Sequence, residues 1–176
     1  MEGGKTMLES ILEPYRITIG EDFERYTNHA TRVYLFCRLL DPTQENEAKY
    51  AIAAAFHDIG IWTAGTFDYL DPSVGQALDY LETIGQTAWA AEIKRMIDCH
   101  HKVKSYTGEY AQTVQAFRKA DWIDVSRGLL TFGIPRSTIE SILKEIPNRG
   151  FHSFLLRQSG RYFLKHPWRP LPMFRI

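Results

Sequence analysis

Residues Ala51-Ile52-Ala53-Ala54-Ala55-Phe56 form an apolar, alanine-rich run that ends in His57-Asp58-Ile59-Gly60. Alanine is the best helix former, and its single methyl lets neighbouring helices approach closely. The run therefore sets one helix tightly among others, with a histidine-aspartate pair at its end. Two more side chains of metal-ligand type lie where helices can bring them to the same point: His29, 28 residues before His57, and Asp121, 63 residues after Asp58. Imidazoles and carboxylates together suit a divalent ion.

The rest of the chain agrees with a helical fold. Alternation of period two is scarce and helical periodicity is common. A short amphipathic segment, Met7 to Glu13, stops before Pro14. A long helix runs from Glu21 to Leu40, with Val33, Phe36, Cys37 and Leu40 marking its buried face. Asp41-Pro42 predicts a cap and first helical position for a helix reaching His57, with Gly60 closing it. Asp71-Pro72-Ser73 repeats that signal for a helix to Ile84 closed by Gly85. Thr87 to His101 is the next helix, with Trp89, Ile93, Met96 and Ile97 on one face. Lys102 to Tyr110 reads as a loop, and Glu109 to Leu130 restart a long helix. Ser137 to Glu140 spell a capping box for a helix to Ile146. Arg149 to Lys165 form the last helix, before an extended proline-containing tail from His166. No repeat, low-complexity run or linker interrupts the pattern, so residues 1–176 read as one all-α domain, a single helical bundle.

Charge excludes little. The 21 basic and 21 acidic residues balance, which gives no indication of a nucleic-acid polymer or an acidic membrane as partner. No apolar run reaches the roughly 18–20 residues of a membrane span, and Met1 to Lys5 lead into no signal-type segment. The expected location is the cytoplasm. Cys37 and Cys99 form no CxxC and read as buried reduced thiols. The residues leave a homo-oligomer open.

On these helices His29 lies mid-helix, with Arg25 and Arg32 on its face. His57 and Asp58 point about 100° apart in a regular helix, so both reach one ion only if it lies between them. Asp121 sits amid apolar neighbours, a costly place for a carboxylate without a partner. That partner is a metal, or else Arg118 or Lys119. Asp124, one turn on, is either an exposed acid or an orienting group behind a metal ligand.

The order His29, His57-Asp58, Asp121 on successive helices resembles the HD-domain superfamily of metal-dependent phosphohydrolases. Asn28-His29-Ala30-Thr31-Arg32-Val33-Tyr34 is similar to its first histidine segment. Ala53 to Gly60 are similar to its name-giving segment, and Lys119-Ala120-Asp121 to its final ligand segment. The resemblance covers residues 20 to 130, with 131–176 left as C-terminal helices and tail. It implies an HD-type bundle and a metal held by His29, His57, Asp58 and Asp121. It also implies hydrolysis of a phosphomonoester or nucleotide, so the partner expected is a small phosphorylated molecule. Mn, Fe, Co, Ni, Zn and Mg all remain eligible.

Departures narrow the reading. Two-metal branches of that family place extra histidines at separate positions between the pair and the last aspartate. Here that interval holds only the adjacent His100 and His101, which sets the expectation of one ion. No glutamate follows the pair, unlike the bacterial deoxynucleotidase branch, and the glycine-tyrosine-proline signature of cyclic-dinucleotide enzymes is missing.

Four residues are assigned to the chemistry. Asp58 serves as ligand and proton acceptor. His100 or His101 donates to a substrate oxygen or acts as acid-base; the alternative is a cationic helix end favoured by the dipole. Arg32 is the leading phosphate clamp among Arg25, Lys102, Lys104, Arg118, Lys119 and Arg127, each of which also reads as a solvated charge. The loop Trp62 to Pro72 suits a pocket wall or lid. Phe151, Phe154, Tyr162, Phe163 and Trp168 suit packing or a subunit contact. A non-phosphate reaction such as nitrile hydration on the same scaffold, or a non-enzymatic metal- or ligand-binding module, are the other two readings.

Overall fold

The helix Glu47–Phe56 is the axis of the molecule, and it has no face to give to water: every residue from Tyr50 to Phe56 is fully buried. A helix apolar all round must be enclosed by others, and the alanine methyls let four of them close in. The computed structural model describes residues 2–165. In chain order its α-helices are α1 (Glu2–Leu12), α2 (Arg16–Ile19), α3 (Phe23–Leu40), α4 (Glu47–Phe56), α5 (Gly60–Thr63), α6 (Leu70–Thr83), α7 (Ala90–Cys99), α8 (Ala111–Val125), α9 (Arg136–Glu145) and α10 (Phe151–Lys165), joined by loops and 3-10 turns. α1, α3, α6 and α7 pack around α4, and α8 packs on α3 and α7, which completes a single-domain all-α bundle. Among the described residues no helix is long and apolar enough to cross a membrane.

The expected faces are largely those that pack. Val33, Phe36 and Cys37 on α3 are fully buried, as are Ile93, Met96 and Ile97 on α7. Both cysteines are buried free thiols. Burial, with Asp121 and Asp41 nearby, pushes the Cys37 thiol well up, and burial likewise raises Cys99, so both stay protonated and unreactive.

Helix starts differ from the cap signals because the capping side chains are spent elsewhere. Asp41 accepts from Thr43, Asn46, Tyr50 and Gln112, and α4 begins only at Glu47, after a 3-10 turn over Gln44–Asn46. α6 begins at Leu70, before Asp71, and Ser73 Oγ accepts from the Gly60 amide at 2.9 Å rather than capping. α8 begins at Ala111 behind Tyr110, whose φ of 60° is left-handed, and ends at Val125 rather than Leu130. The capping box at Ser137 does not form: Pro135 sets the start and its carbonyl takes the first amides, so Ser137 lies inside α9. The tail from His166, including Trp168, lies outside the described residues.

Gly60 does not close a helix. It opens α5, and its missing side chain is a packing requirement. A Cβ there would collide with the carbonyl of Tyr69 and stand 3.0 Å from Pro72 Cβ and Ser73 N. This contact presses the 64–69 loop and the start of α6 against the segment that follows His57-Asp58. Gly60→Ala is expected to destabilise the fold by about 1–3 kcal/mol, the usual cost of overpacking against backbone, read as a lower urea midpoint with an unchanged slope.

Candidate metal centre

Four helices deliver the cluster. α3 presents His29, the end of α4 presents His57 and Asp58, the turn after α7 presents His100 and His101, and α8 presents Asp121. His57, Asp58 and Asp121 are at most 3% exposed, and His29 and His100 are fully buried. α4 gives way to turns at His57, where the Ile59 amide bonds to Phe56 O. That irregularity lets the neighbouring His57 and Asp58 converge instead of diverging by a helical step.

The ring nitrogens show what the cluster lacks. His57 Nδ1 donates to Ala54 O at 2.9 Å and His100 Nδ1 donates to Ile97 O at 2.6 Å. A carbonyl can only accept, so both rings carry a proton on Nδ1; His100 turns its Nε2 towards Asp58, while His57, held neutral by burial, turns an Nε2 lone pair inward. His29 Nδ1 donates to the ionised Asp124 at 2.7 Å, which leaves its Nε2 in the same state. His29 Nε2 and His57 Nε2 then stand 2.9 Å apart, lone pair against lone pair. Asp58 Oδ2 lies 3.7 Å and 3.5 Å from them, and Asp121 Oδ1 lies 3.6 Å and 3.9 Å from them. Such a knot of acceptors needs a shared proton or a cation at its middle. Donors bound at about 2.0–2.2 Å to one ion stand roughly 3–3.5 Å from each other, close to the separations seen. Asp58 Oδ1 and His100 Nε2 are buried without any hydrogen-bond partner, a deficit an ion removes. The residues present therefore fit a divalent metal.

The protonation states agree for His57 and Asp58; for His100 burial works against the charged form, but Asp58 and Asp121 outweigh it and raise its pKa. Burial holds His57 down at about 3 against the pull of Asp58, with His29 and His100 adding to it. Burial alone would raise Asp58, but His57, His100 and His29 overcome it and keep its carboxyl far below the ordinary range. Asp121 is raised to about 6, first by burial and then by Asp58 and Asp124, against the pull of His100 and His29.

His100 and His101 both reach the cluster, from different sides. α7 stops at Cys99, so the two rings follow a turn, with centroids 3.8 Å apart, rather than a helical step. His100 Nε2 faces Asp58 Oδ1 at 3.5 Å, and His101 Nδ1 faces Asp121 Oδ2 at 3.9 Å. Asp58, His100 and His101 form a second group of donors within 4.8 Å of one another, beside the group of His29, His57 and Asp58. Adjacency in the chain, the basis for expecting one ion, does not keep the second histidine away, and Asp58 belongs to both groups.

Arg32 departs from its expected place. It is fully buried, with Nε and Nη2 on the two oxygens of Asp124 at 2.5 and 2.9 Å and Nη1 on Ile146 O at 3.1 Å. Its guanidinium is committed and sealed from any cleft, so it is not a phosphate clamp. Through Asp124 it orients His29, as carboxylates do behind metal-binding histidines. Three of the other cations are also engaged: Arg118 with Gln115 and Lys102 O, Arg25 with Asp22, and Arg127 with His152. Asp121 thus pairs with neither Arg118 nor Lys119.

A cavity of about 390 Å³ opens over Asp58, Asp121 and His101, walled by Phe67, Tyr69, Trp122, Val125, His152, Leu155, Leu156 and Ser159. The loop after α5 supplies Phe67 and Tyr69, while Trp62 turns away to bond Asp22 and stack on Phe154. His152 escapes the sequence reading, while Tyr69 enters it only within the Trp62 to Pro72 loop and Phe151 only as a packing aromatic. Tyr69 Oη meets His101 Nε2 at 2.6 Å, His152 Nε2 donates to Asp124 O at 3.0 Å, and Phe151 stacks on His29 at 4.1 Å. An aromatic or histidine distant in the chain from every ligand carries no local signal of such a role.

Compared with known proteins, the chain matches no family model, no curated protein and no solved structure. The account of the site therefore rests on its own geometry.

Two outcomes follow. Removing Arg32 leaves the Asp124 charge buried alone, so Arg32→Ala should lose about 3–5 kcal/mol of stability in urea unfolding; a phosphate clamp would instead leave stability intact. Asp121 is protonated below about 6, and the proton competes with an ion. Affinity for Mn or Zn, measured by calorimetry, should therefore rise about tenfold between pH 5 and pH 7, and Asp121→Asn should flatten that slope.

Proposed function

We propose that this protein is a metal-dependent hydrolase of HD type, acting through activated water on a small substrate, with a phosphomonoester as the first reading. The observation that carries it is the group of His29, His57 and Asp58, with Asp121 close to both histidines, beneath an open cavity whose lining Asp58 and Asp121 reach. A divalent ion held there lowers the pKa of water and polarises the group under attack. The chain's own residues do the rest. Asp124 and Arg32 fix the tautomer and aim of His29. Ala54 O and Ile97 O do the same for His57 and His100. Tyr69 sets His101: with the tyrosine hydroxyl donating to Nε2, Nδ1–H is a donor over the centre, available to a substrate oxygen. If the second donor group held a further ion sharing Asp58, His101 Nδ1 would lose that proton and ligate instead of donating.

Access to the cluster argues against a purely structural metal, because a closed site would leave substrate no way in. One observation favours a second reading, a non-phosphate hydrolase or hydratase. No lysine or arginine lines the cavity among the described residues, so a phosphate would rest on the ion and on histidines alone.

The test is metal analysis followed by a screen of phosphomonoesters, nucleotides, amides and nitriles with Mn, Fe, Co, Ni, Zn and Mg. His57→Ala and Asp58→Ala should lose both metal and turnover. Full occupancy and activity in either variant would remove the assignment. A wild type loaded with metal but inert towards every class would make the protein a binding module.

A further inference from the structure

We infer that the part of the substrate beside the reacting bond is a small hydrophobic group, aryl or branched alkyl, and that Val125, Leu155 and Leu156 select for it. This inference rests on the hydrolase reading above. Whatever fills the cavity lies directly over Asp58, Asp121 and His101, because these residues are part of its lining. At about 390 Å³ the cavity is near the lower end of ligand pockets. Its volume does not discriminate sharply between small molecules, and its walls do.

Six of those walls are apolar or aromatic: Phe67, Tyr69, Trp122, Val125, Leu155 and Leu156. The polar wall His152 has both nitrogens spent, Nε2–H on Asp124 O and Nδ1 accepting from Asn148 at 2.8 Å and Arg127 at 3.2 Å. It has nothing left with which to read a sugar hydroxyl or a base edge. The polar exceptions are Ser159 and the indole N–H of Trp122, which is buried without a hydrogen-bond partner. Lys119, one turn before Trp122 and Ile123, lies over the Phe132 ring at 5.9 Å rather than in the cavity. A second phosphate or a carboxylate on the substrate would be desolvated against these walls with no cation to pair it and at most two neutral donors, at a cost that a nucleotide or a sugar diphosphate cannot recover. A hydrophobic group gains by the same desolvation. The rim points the same way: Leu156 is 76% exposed and Val125 37% exposed, apolar surface left in water at the mouth of a polar centre, which is a mark of ligand sites.

The experiment is calorimetry on the metal-loaded full chain with two matched pairs, phenylphosphonate against methylphosphonate and benzamide against acetamide, with AMP as the polar comparison. The aryl member of at least one pair should bind about tenfold tighter or better, the worth of burying one ring, and AMP should bind no tighter than methylphosphonate. Val125→Asp and Leu156→Asp, both at tolerant exposed positions, should erase the aryl preference without changing metal content. Equal binding within both pairs, no binding at all, or tighter binding of AMP overturns the inference. Aryl preference without turnover of phenyl phosphate or benzamide would leave it standing and remove the hydrolase reading. Turnover without aryl preference would do the reverse.

Discussion

The carboxylate of Asp124 is the contact on which the centre depends. It accepts from His29 Nδ1 and twice from Arg32, while its own carbonyl accepts from His152. One residue of α8 thereby ties α3 and the start of α10, and Arg32 extends the tie to Ile146 after α9. Burying these charges is costly, and only their close mutual pairing offsets it. Burial works against the ionised form of Asp124, yet Arg32 and His29 hold its carboxyl far below the usual range. The arginine that resembles a substrate clamp in the sequence is thus the counter-charge that makes a buried orienting carboxylate tolerable.

With Asp124 ionised, His29 is fixed as an Nδ1–H donor and its Nε2 is forced to face His57 Nε2. That confrontation is unfavourable without a cation. A protein can hold such an arrangement only when the surrounding structure over-determines it, and here it does. Phe151 stacks on the His29 ring and Phe117 sets its edge against His57 at 5.6 Å. The backbone carbonyls of Ala54 and Ile97 fix the other two imidazoles. An ion held there would gain from preorganisation: the ligands would lose little freedom on binding, and the proton on Asp121 would have to be displaced.

Much of this was legible in the chain. Helical periodicity placed His29, His57-Asp58 and Asp121 on separate helices, and the alanine run explained how those helices come close. The failures have common physical causes. Arg32 lies on the His29 face as its spacing requires, but periodicity gives a face and never a partner, and Asp124 stood on another helix. His100 and His101 were read as one useful ring because neighbours on a helix diverge, whereas the helix ends before them. Asp41, Asp71 and Ser137 carried cap chemistry, yet Asp41 is shared among Thr43, Asn46, Tyr50 and Gln112, α6 begins before Asp71, and Pro135 sets the start of α9 ahead of Ser137. Gly60 looked like a helix stop and is instead a place where no side chain fits. The α10 residues that wall the cavity had no local signal, since an apolar helix face reads the same whether it covers a core or a substrate.

The position of α10 gives the cavity its meaning. Its first turn touches the centre directly, Phe151 on His29 and His152 on Asp124, and its next turns place Leu155, Leu156 and Ser159 over the open side. The same helix therefore braces a ligand and shapes what can approach it. Apolar walls over a charged floor also strengthen every interaction made there, because excluding water lowers the local dielectric. A basic cleft would secure an anionic substrate by attraction at long range. This site lacks that attraction among its described walls, so on the proposed hydrolase reading selection would fall to shape and desolvation, and the charge that develops in reaction would fall to the centre alone.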